Sequence, residues 1–174
     1  MELGIYTRGY AMPKGQVSLY NKGMKIFIGA DHRGFALKNI LYKQLVVRGH
    51  EVVDCGPQQL DPEDDYPDYA QKVAEGVAAH QEGRGILLCG SGVGMNVVAN
   101  KVRGVRATVG YKSDEVVHGR ARDNVNVLSL SADTLSVDAA EALVELFLMT
   151  PFGGAERDVR RQRKISDLEA KNGK

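Results

Sequence analysis

A glycine-rich turn, Gly90-Ser91-Gly92-Val93-Gly94, follows directly on a short apolar run that ends in Cys89. Glycines at such a place free the backbone to aim several N–H groups at one point, and a helix starting there adds its positive end. That arrangement suits a phosphate, or the oxyanion of an enediolate. It also suits a tight turn with no role beyond folding. No Lys-Ser/Thr follows, so the turn is not a Walker loop. Dinucleotide loops sit on the first strand of a unit with an acid further on, which fits poorly here.

Cys89 precedes this turn. A strand cysteine is commonly a small buried hydrophobe, but a helix N-terminus beside a thiol stabilises the thiolate, which makes it a base or nucleophile. Ser91 then has a hydroxyl for a substrate carbonyl or hydroxyl. Cys55 also ends a strand, lacks such a turn, and reads as structural. Asp31-His32 offers a carboxylate for sugar hydroxyls and an imidazole for a phosphate; Asp31 reads equally well as a helix N-cap. Arg157 and Arg161 are four apart and share a helix face. Two guanidiniums there suit a phosphate, although the nearby Arg160, Arg163 and Lys164 also read as a solvated basic face.

These residues must be positioned by a strand–helix rhythm. Apolar runs at 26–30, 51–55, 85–89, 105–109 and 126–130 predict strands, the first and third buried on both faces. Helical spacing predicts helices over 35–47, 69–79, 114–122, 136–149 and 156–171, the glycine turn opens a short helix running to about Lys101, and a long polar loop covers 56–67. Strands alternating with helices predict one parallel sheet covered on both faces, whose ligands bind outside the carboxyl ends of the strands. Cys89, Asp31 and His32 all fall at that edge. Residues 1–23 read as an N-terminal extension or leader apart from a domain over 24–174.

With 174 residues, 43% hydrophobic and 26% charged, the chain has the make-up of an ordinary globular domain. A net charge of +1 and the absence of Trp give no support for a nucleic-acid surface or a polybasic membrane patch. No apolar run approaches a membrane span, and without a signal-type leader the expected location is cytoplasmic. Two cysteines make neither a disulfide framework nor a zinc site.

From Met24 onward the chain resembles the ribose-5-phosphate isomerase B and galactose-6-phosphate isomerase family. The resemblance rests on Ile28-Gly29-Ala30-Asp31-His32-Arg33-Gly34, Asp65-Tyr66-Pro67-Asp68, Cys89 to Gly94, Ala99 to Ala107, Thr150-Pro151-Phe152 and Arg157 to Arg161. It implies a single-domain, Rossmann-like αβα sandwich with five parallel strands and an exposed C-terminal helix. It further implies a homodimer, or a tetramer, with a site shared between subunits, a phosphorylated-sugar substrate, and a mechanism needing no metal or cofactor. By that likeness Cys89 moves a proton between C1 and C2 through a cis-enediolate. Ser91 and the N–H groups of Gly90, Gly92, Val93 and Gly94 hold the oxyanion. Asp31 and Tyr66 contact the sugar, and His32, Arg157 and Arg161 hold the phosphate. Some members place a Glu base just after the turn; here that position is Met95, which leaves Cys89.

Two positions depart from the family pattern. Arg122-Asp123-Asn124 stands where the family has His-Asn-Asp or His-Asn-Asn, whose His, contributed by the neighbouring subunit, helps open the sugar ring. Ser131-Ala132-Asp133 replaces a Gly-x-Arg that contacts phosphate. Arg122 stays charged and cannot do acid–base work near neutrality, but with Asp123 it can bind substrate. His118 is the other candidate ring opener, or else a surface residue. By the family likeness the expected substrate is ribose 5-phosphate, and the departure at Arg122 makes a tetrose or hexose phosphate the alternative. A non-catalytic sugar-phosphate sensor and a thiol redox protein are the competing classes.

Overall fold

A computed structural model describes residues 23–171 and residue 173. All but Gly23 of the extension predicted over 1–23 lies outside the described residues. The elements are β1 (Lys25–Ala30), α1 (Phe35–Val47), β2 (Glu51–Asp54), α2 (Tyr66–Ala79), β3 (Arg84–Cys89), α3 (Val93–Ala99), β4 (Ala107–Val109), α4 (Ser113–Asp123), β5 (Val127–Ser131), α5 (Val137–Met149) and α6 (Glu156–Lys171). The five strands form one parallel sheet in the order β2-β1-β3-β5-β4. This is the expected α/β sandwich.

Alternation along the strands divides the core into two layers. Ile26, Ile28, Ala30, Ile86, Leu88, Leu128 and Leu130 point to one face, where they pack with Leu37, Leu41 and Leu45 of α1, Val116 of α4 and Phe147 of α5. Phe27, Leu87, Cys89 and Val127 point to the other, against Ala70, Val73, Ala74 and Val77 of α2 and Met95 and Ala99 of α3. The thiol of Cys89 therefore faces the α2–α3 layer. From β1 the chain moves outward to β2, then returns to place β3 on the opposite side of β1. The carboxyl ends of β1 and β3 are thus the switch point where ligands of such sheets bind.

Several boundaries shift by a residue or two from the sequence expectation, the helix after the glycine turn ending at Ala99 and not Lys101, and two differences have a clear physical cause. The helix expected at Tyr69 begins at Tyr66, with Pro67 in its first turn. Proline lacks only an N–H that no helix acceptor would have used there, so it starts this helix and does not prevent it. The strand expected over 105–109 is confined to Ala107–Val109. The Arg106 N–H is drawn instead to the side-chain oxygen of Asn126 at 2.7 Å. α6 is largely exposed, as expected, with Asp158 its only buried residue and Ile165 and Leu168 open to solvent. No helix among the described residues is long and apolar enough to cross a membrane.

Candidate active site

The carboxyl end of β3 leads into the glycine turn, and β5 fixes how that turn is oriented. The Gly90 carbonyl accepts from Ser131 Oγ at 2.7 Å and from the Asp133 N–H at 3.1 Å. The Gly92 carbonyl accepts from Ser129 Oγ at 2.6 Å. In a trans peptide the carbonyl and the following N–H point opposite ways, so the Ser91 N–H faces away from β5. Gly92 adopts φ +78°, and a Cβ there would also meet the Leu130 backbone at 3.1 Å. Only glycine holds that conformation without strain. Its N–H donates to Cys89 Sγ at 3.1 Å, which aims a donor at the sulfur. Ser91 Oγ accepts from the Val93 N–H at 3.2 Å and is exposed. Tyr66, at the start of α2, lies over Gly94: a Cβ at 94 would come within 2.8 Å of its ring and 3.2 Å of its hydroxyl. Met95 is fully buried beneath.

Cys55 lies away from this turn, just past the end of β2. Burial pushes the Cys55 thiol up to about 11, so it stays protonated at neutral pH. β1 lies between the strands that lead to the two thiols, which puts the backbones of β2 and β3 about 9–10 Å apart. That exceeds what a disulfide spans and counts against the redox reading. Both cysteines are free.

The β1–α1 loop supplies the rest of this edge. Asp31 is buried, and its Oδ1 accepts from the N–H groups of Arg33 and Gly34, both at 3.0 Å. Asp31 therefore holds the loop ahead of α1 and is not its N-cap, a position that falls to Gly34 with no side-chain bond. His32 Nδ1 is 2.7 Å from Asp64 Oδ1, which also accepts the His32 N–H at 3.0 Å. The Asp64 hydrogen bond raises the imidazole pKa above its ordinary value, so His32 keeps its proton to higher pH. Stability from this pair is complete below the ordinary imidazole value and is lost as pH rises through the raised one. In Asp64→Asn the His32 ring protons should titrate at lower pH by NMR, and that pH dependence of stability should flatten. An unchanged titration would detach Asp64 from this role.

Sequence reasoning missed Asp64 and the pairing of Arg33 with Asp133, a position it marked only for the phosphate contact it lacks. Arg33 forms a two-pronged pair with Asp133, Nε to Oδ1 at 3.2 Å and Nη2 to Oδ2 at 2.6 Å. Its partners lie 100 positions apart in sequence, and only the sheet order brings the two loops together. For Asp64 the Asp-rich loop gave no cue to which carboxylate turns inward.

Arg122, Asp123, Arg157 and Arg161 are not at this edge. α4 returns to the opposite end of the sheet, a strand length of about 17 Å from the thiol. There Arg122 Nη1 lies 3.3 Å from Asp158 Oδ2, while Arg157 Nε and Arg161 Nη1 lie 3.4 Å from Oδ1. One buried carboxylate gathers three guanidiniums, which leaves net positive charge on the group. Asp123 is exposed and 3.9 Å from His118 Nε2, itself a surface residue. A cavity of about 590 Å³ lies on the same side, lined by Arg84, Arg106 and Arg120 among others, and contains no thiol or imidazole. Burial and the neighbouring arginines hold the Arg120 guanidinium down at about 9. Among the described residues no three His, Cys, Asp or Glu side chains converge as metal ligands would.

Residues 26–165 match the family model described as Ribose/Galactose Isomerase. The chain is 39% identical over 144 residues to a probable ribose-5-phosphate isomerase B of Mycoplasma pneumoniae, covering 83% of this chain and 94% of that one. It is 34% identical over 147 residues to ribose-5-phosphate isomerase B of Mycobacterium tuberculosis, covering 84% and 91%. Among solved structures it is similar to ribose-5-phosphate isomerase B of Mycoplasma genitalium with bound ribulose-5-phosphate, with TM-score 0.82, 39% identity, and coverage of 86% and 98%. The enzyme of Clostridium thermocellum superposes with TM-score 0.81 at 39% identity, covering 86% and 99%. Sequence, fold and the thiol set at the switch point agree: this chain belongs to the ribose/galactose isomerase family.

Proposed function

We propose that the protein interconverts an aldose phosphate and its ketose, with ribose 5-phosphate and ribulose 5-phosphate as the pair. The observation that supports this most is Cys89 at the switch point, with the Gly92 N–H aimed at its sulfur and the glycine turn beside it. In the open-chain aldose, the Cys89 thiolate takes the C2 proton while the C1 carbonyl becomes an enediolate oxyanion. The Ser91 N–H and hydroxyl stabilise that charge. The C2 hydroxyl proton passes to the O1 oxyanion, the thiol returns its proton to C1, and C2 becomes the carbonyl. Proton transfer at carbon needs a base within contact distance and a held oxyanion, and this edge offers both.

The test is to incubate the protein in deuterated water with four-, five- and six-carbon aldose phosphates and follow the C2 proton by NMR. Conversion of ribose 5-phosphate with solvent deuterium incorporated is the expected result. Arg122 lies against Asp158 where a ring-opening acid–base group is wanted, so turnover of only a tetrose phosphate, which stays open, would move the substrate and keep the reaction. Binding without exchange of any C2 proton would replace the enzyme by a sensor.

The substrate site is further proposed to be shared in a homodimer. The thiol and the Arg122–Arg157–Arg161 group occupy opposite ends of one sheet, so that group reaches a thiol only when a second copy brings it there. The exposed Ile165 and Leu168 of α6 are apolar surface for that contact. Mixing Cys89→Ala with Arg157→Ala/Arg161→Ala protein should then restore activity that neither has alone. Random pairing gives about a quarter of wild type, since half the dimers carry one intact site. No recovery after verified subunit exchange would place both groups in one chain's site.

A further inference from the structure

We infer that Arg33 is a phosphate-gripping residue of the substrate site, and that Asp133 is the internal anion it holds until the sugar phosphate displaces it. β1, β3 and β5 are neighbours in the sheet, so the loops after β1 and β5 flank the turn after β3. The Arg33–Asp133 pair bridges them across that turn. It rests directly on Gly90: a Cβ there would lie 2.6 Å from Arg33 Nε and 2.9 Å from Asp133 Oδ2. A carboxylate of the chain's own thus stands at the mouth beside the thiol, bound in the fork that fits a phosphate equally well.

Three further features favour exchange over a fixed structural bridge. Both side chains are open, 55% for Arg33 and 42% for Asp133, and an ion pair in solvent gains little from its partner. Arg33 Nη1 makes none of the bonds to Asp133, which use Nε and Nη2, so the guanidinium has donors left for an incoming anion. The neighbouring His32 is a second basic group on the same loop, and its hydrogen bond to Asp64 holds its proton to higher pH. Two basic side chains from adjacent positions therefore lie on the loop beside the glycine turn, each presented by a carboxylate from another loop.

The inference rests on the isomerase reading for its substrate, but phosphate binding can be read without turnover. Inorganic phosphate titrated into wild type, Arg33→Gln, Arg33→Lys and Asp133→Asn by calorimetry is the direct probe, with KM and kcat measured alongside. Both side chains are exposed, and melting curves check that each variant folds. Arg33→Gln should weaken phosphate by about tenfold or more, the scale of a lost charge-assisted contact. KM should rise by a similar factor and kcat should change little. Arg33→Lys should recover part of the affinity. Asp133→Asn should bind phosphate at least as tightly as wild type, because the competing carboxylate is gone. Unchanged phosphate affinity in Arg33→Gln would overturn the inference, and equal weakening in Asp133→Asn would overturn displacement. If wild type turned over no sugar but Arg33→Gln still lost phosphate, the isomerase reading would fail and the grip would stand.

Discussion

Replacing Cys89 by alanine should lower kcat by about 10²–10⁴-fold, the contribution of a positioned base, while KM stays within a few-fold. At 1.36 kcal/mol per decade this is roughly 3–5 kcal/mol of transition-state stabilisation. The asymmetry follows from position. The sulfur is buried at the end of β3 and takes the Gly92 N–H, whereas the groups read as holding phosphate lie on other elements. Serine at 89 should fail nearly as badly, because a hydroxyl does not ionise near neutrality. Met95, fully buried in the α2–α3 layer, offers no second base. Cys55→Ala is the control: with its thiol held up at about 11 by burial, its loss should leave turnover intact. Steady-state kinetics and the loss of C2 deuterium exchange check the pair. A Cys89→Ala protein with wild-type kcat would remove the thiol from the mechanism.

How much of this was legible beforehand depended on whether the signal was local. The strands and helices were, because alternation and helical spacing are written within a dozen residues, and β3 with its turn announced itself as an unbroken apolar run into glycines. Pro67 misled because the same residue that breaks a helix interior opens a helix. β4 was read too long because a side chain 20 positions away, Asn126, takes the N–H of Arg106. At the site, Cys89, Ser91 and His32 could be singled out by type and place. The carboxylates that aim the cations could not: Asp64 reaches His32 across 32 positions and Asp133 reaches Arg33 across 100. Nothing near Asp133 in sequence indicates an arginine. The pair exists because the order β1-β3-β5 sets two distant loops on either side of one turn. Asp158 is similar. In sequence it is one acid in a basic helix, yet in the fold it is buried and collects three guanidiniums.

Asp54→Ala should be among the most destabilising single changes available. Lys38 of α1 is fully buried, and its ammonium donates to both oxygens of Asp54 and to the Pro57 carbonyl, each at 2.8 Å. An ammonium has three protons, so these three bonds satisfy it, and removing Asp54 leaves a buried charge with one neutral acceptor. The expected cost is about 3–5 kcal/mol, or roughly 6–20 °C in Tm for a domain of this size. Replacing both partners, as Lys38→Met with Asp54→Ala, should recover most of the loss, because an apolar pair of similar volume removes the charge together with its partner. Calorimetric melting of the three proteins separates the cases, and a Tm for Asp54→Ala within two or three degrees of wild type would contradict a desolvated pair. The consequence extends to the site. Asp54 Oδ1 also accepts the Gly56 N–H at 2.9 Å, and the Gly56 carbonyl accepts the N–H of Ala30, the last residue of β1. The same ion pair thus fixes the start of the loop that carries Asp64 to His32 and Tyr66 to Gly94. In Asp54→Ala protein still folded at low temperature, KM should rise before kcat falls, because the loop holds the groups that bind substrate while Cys89 stays anchored in β3.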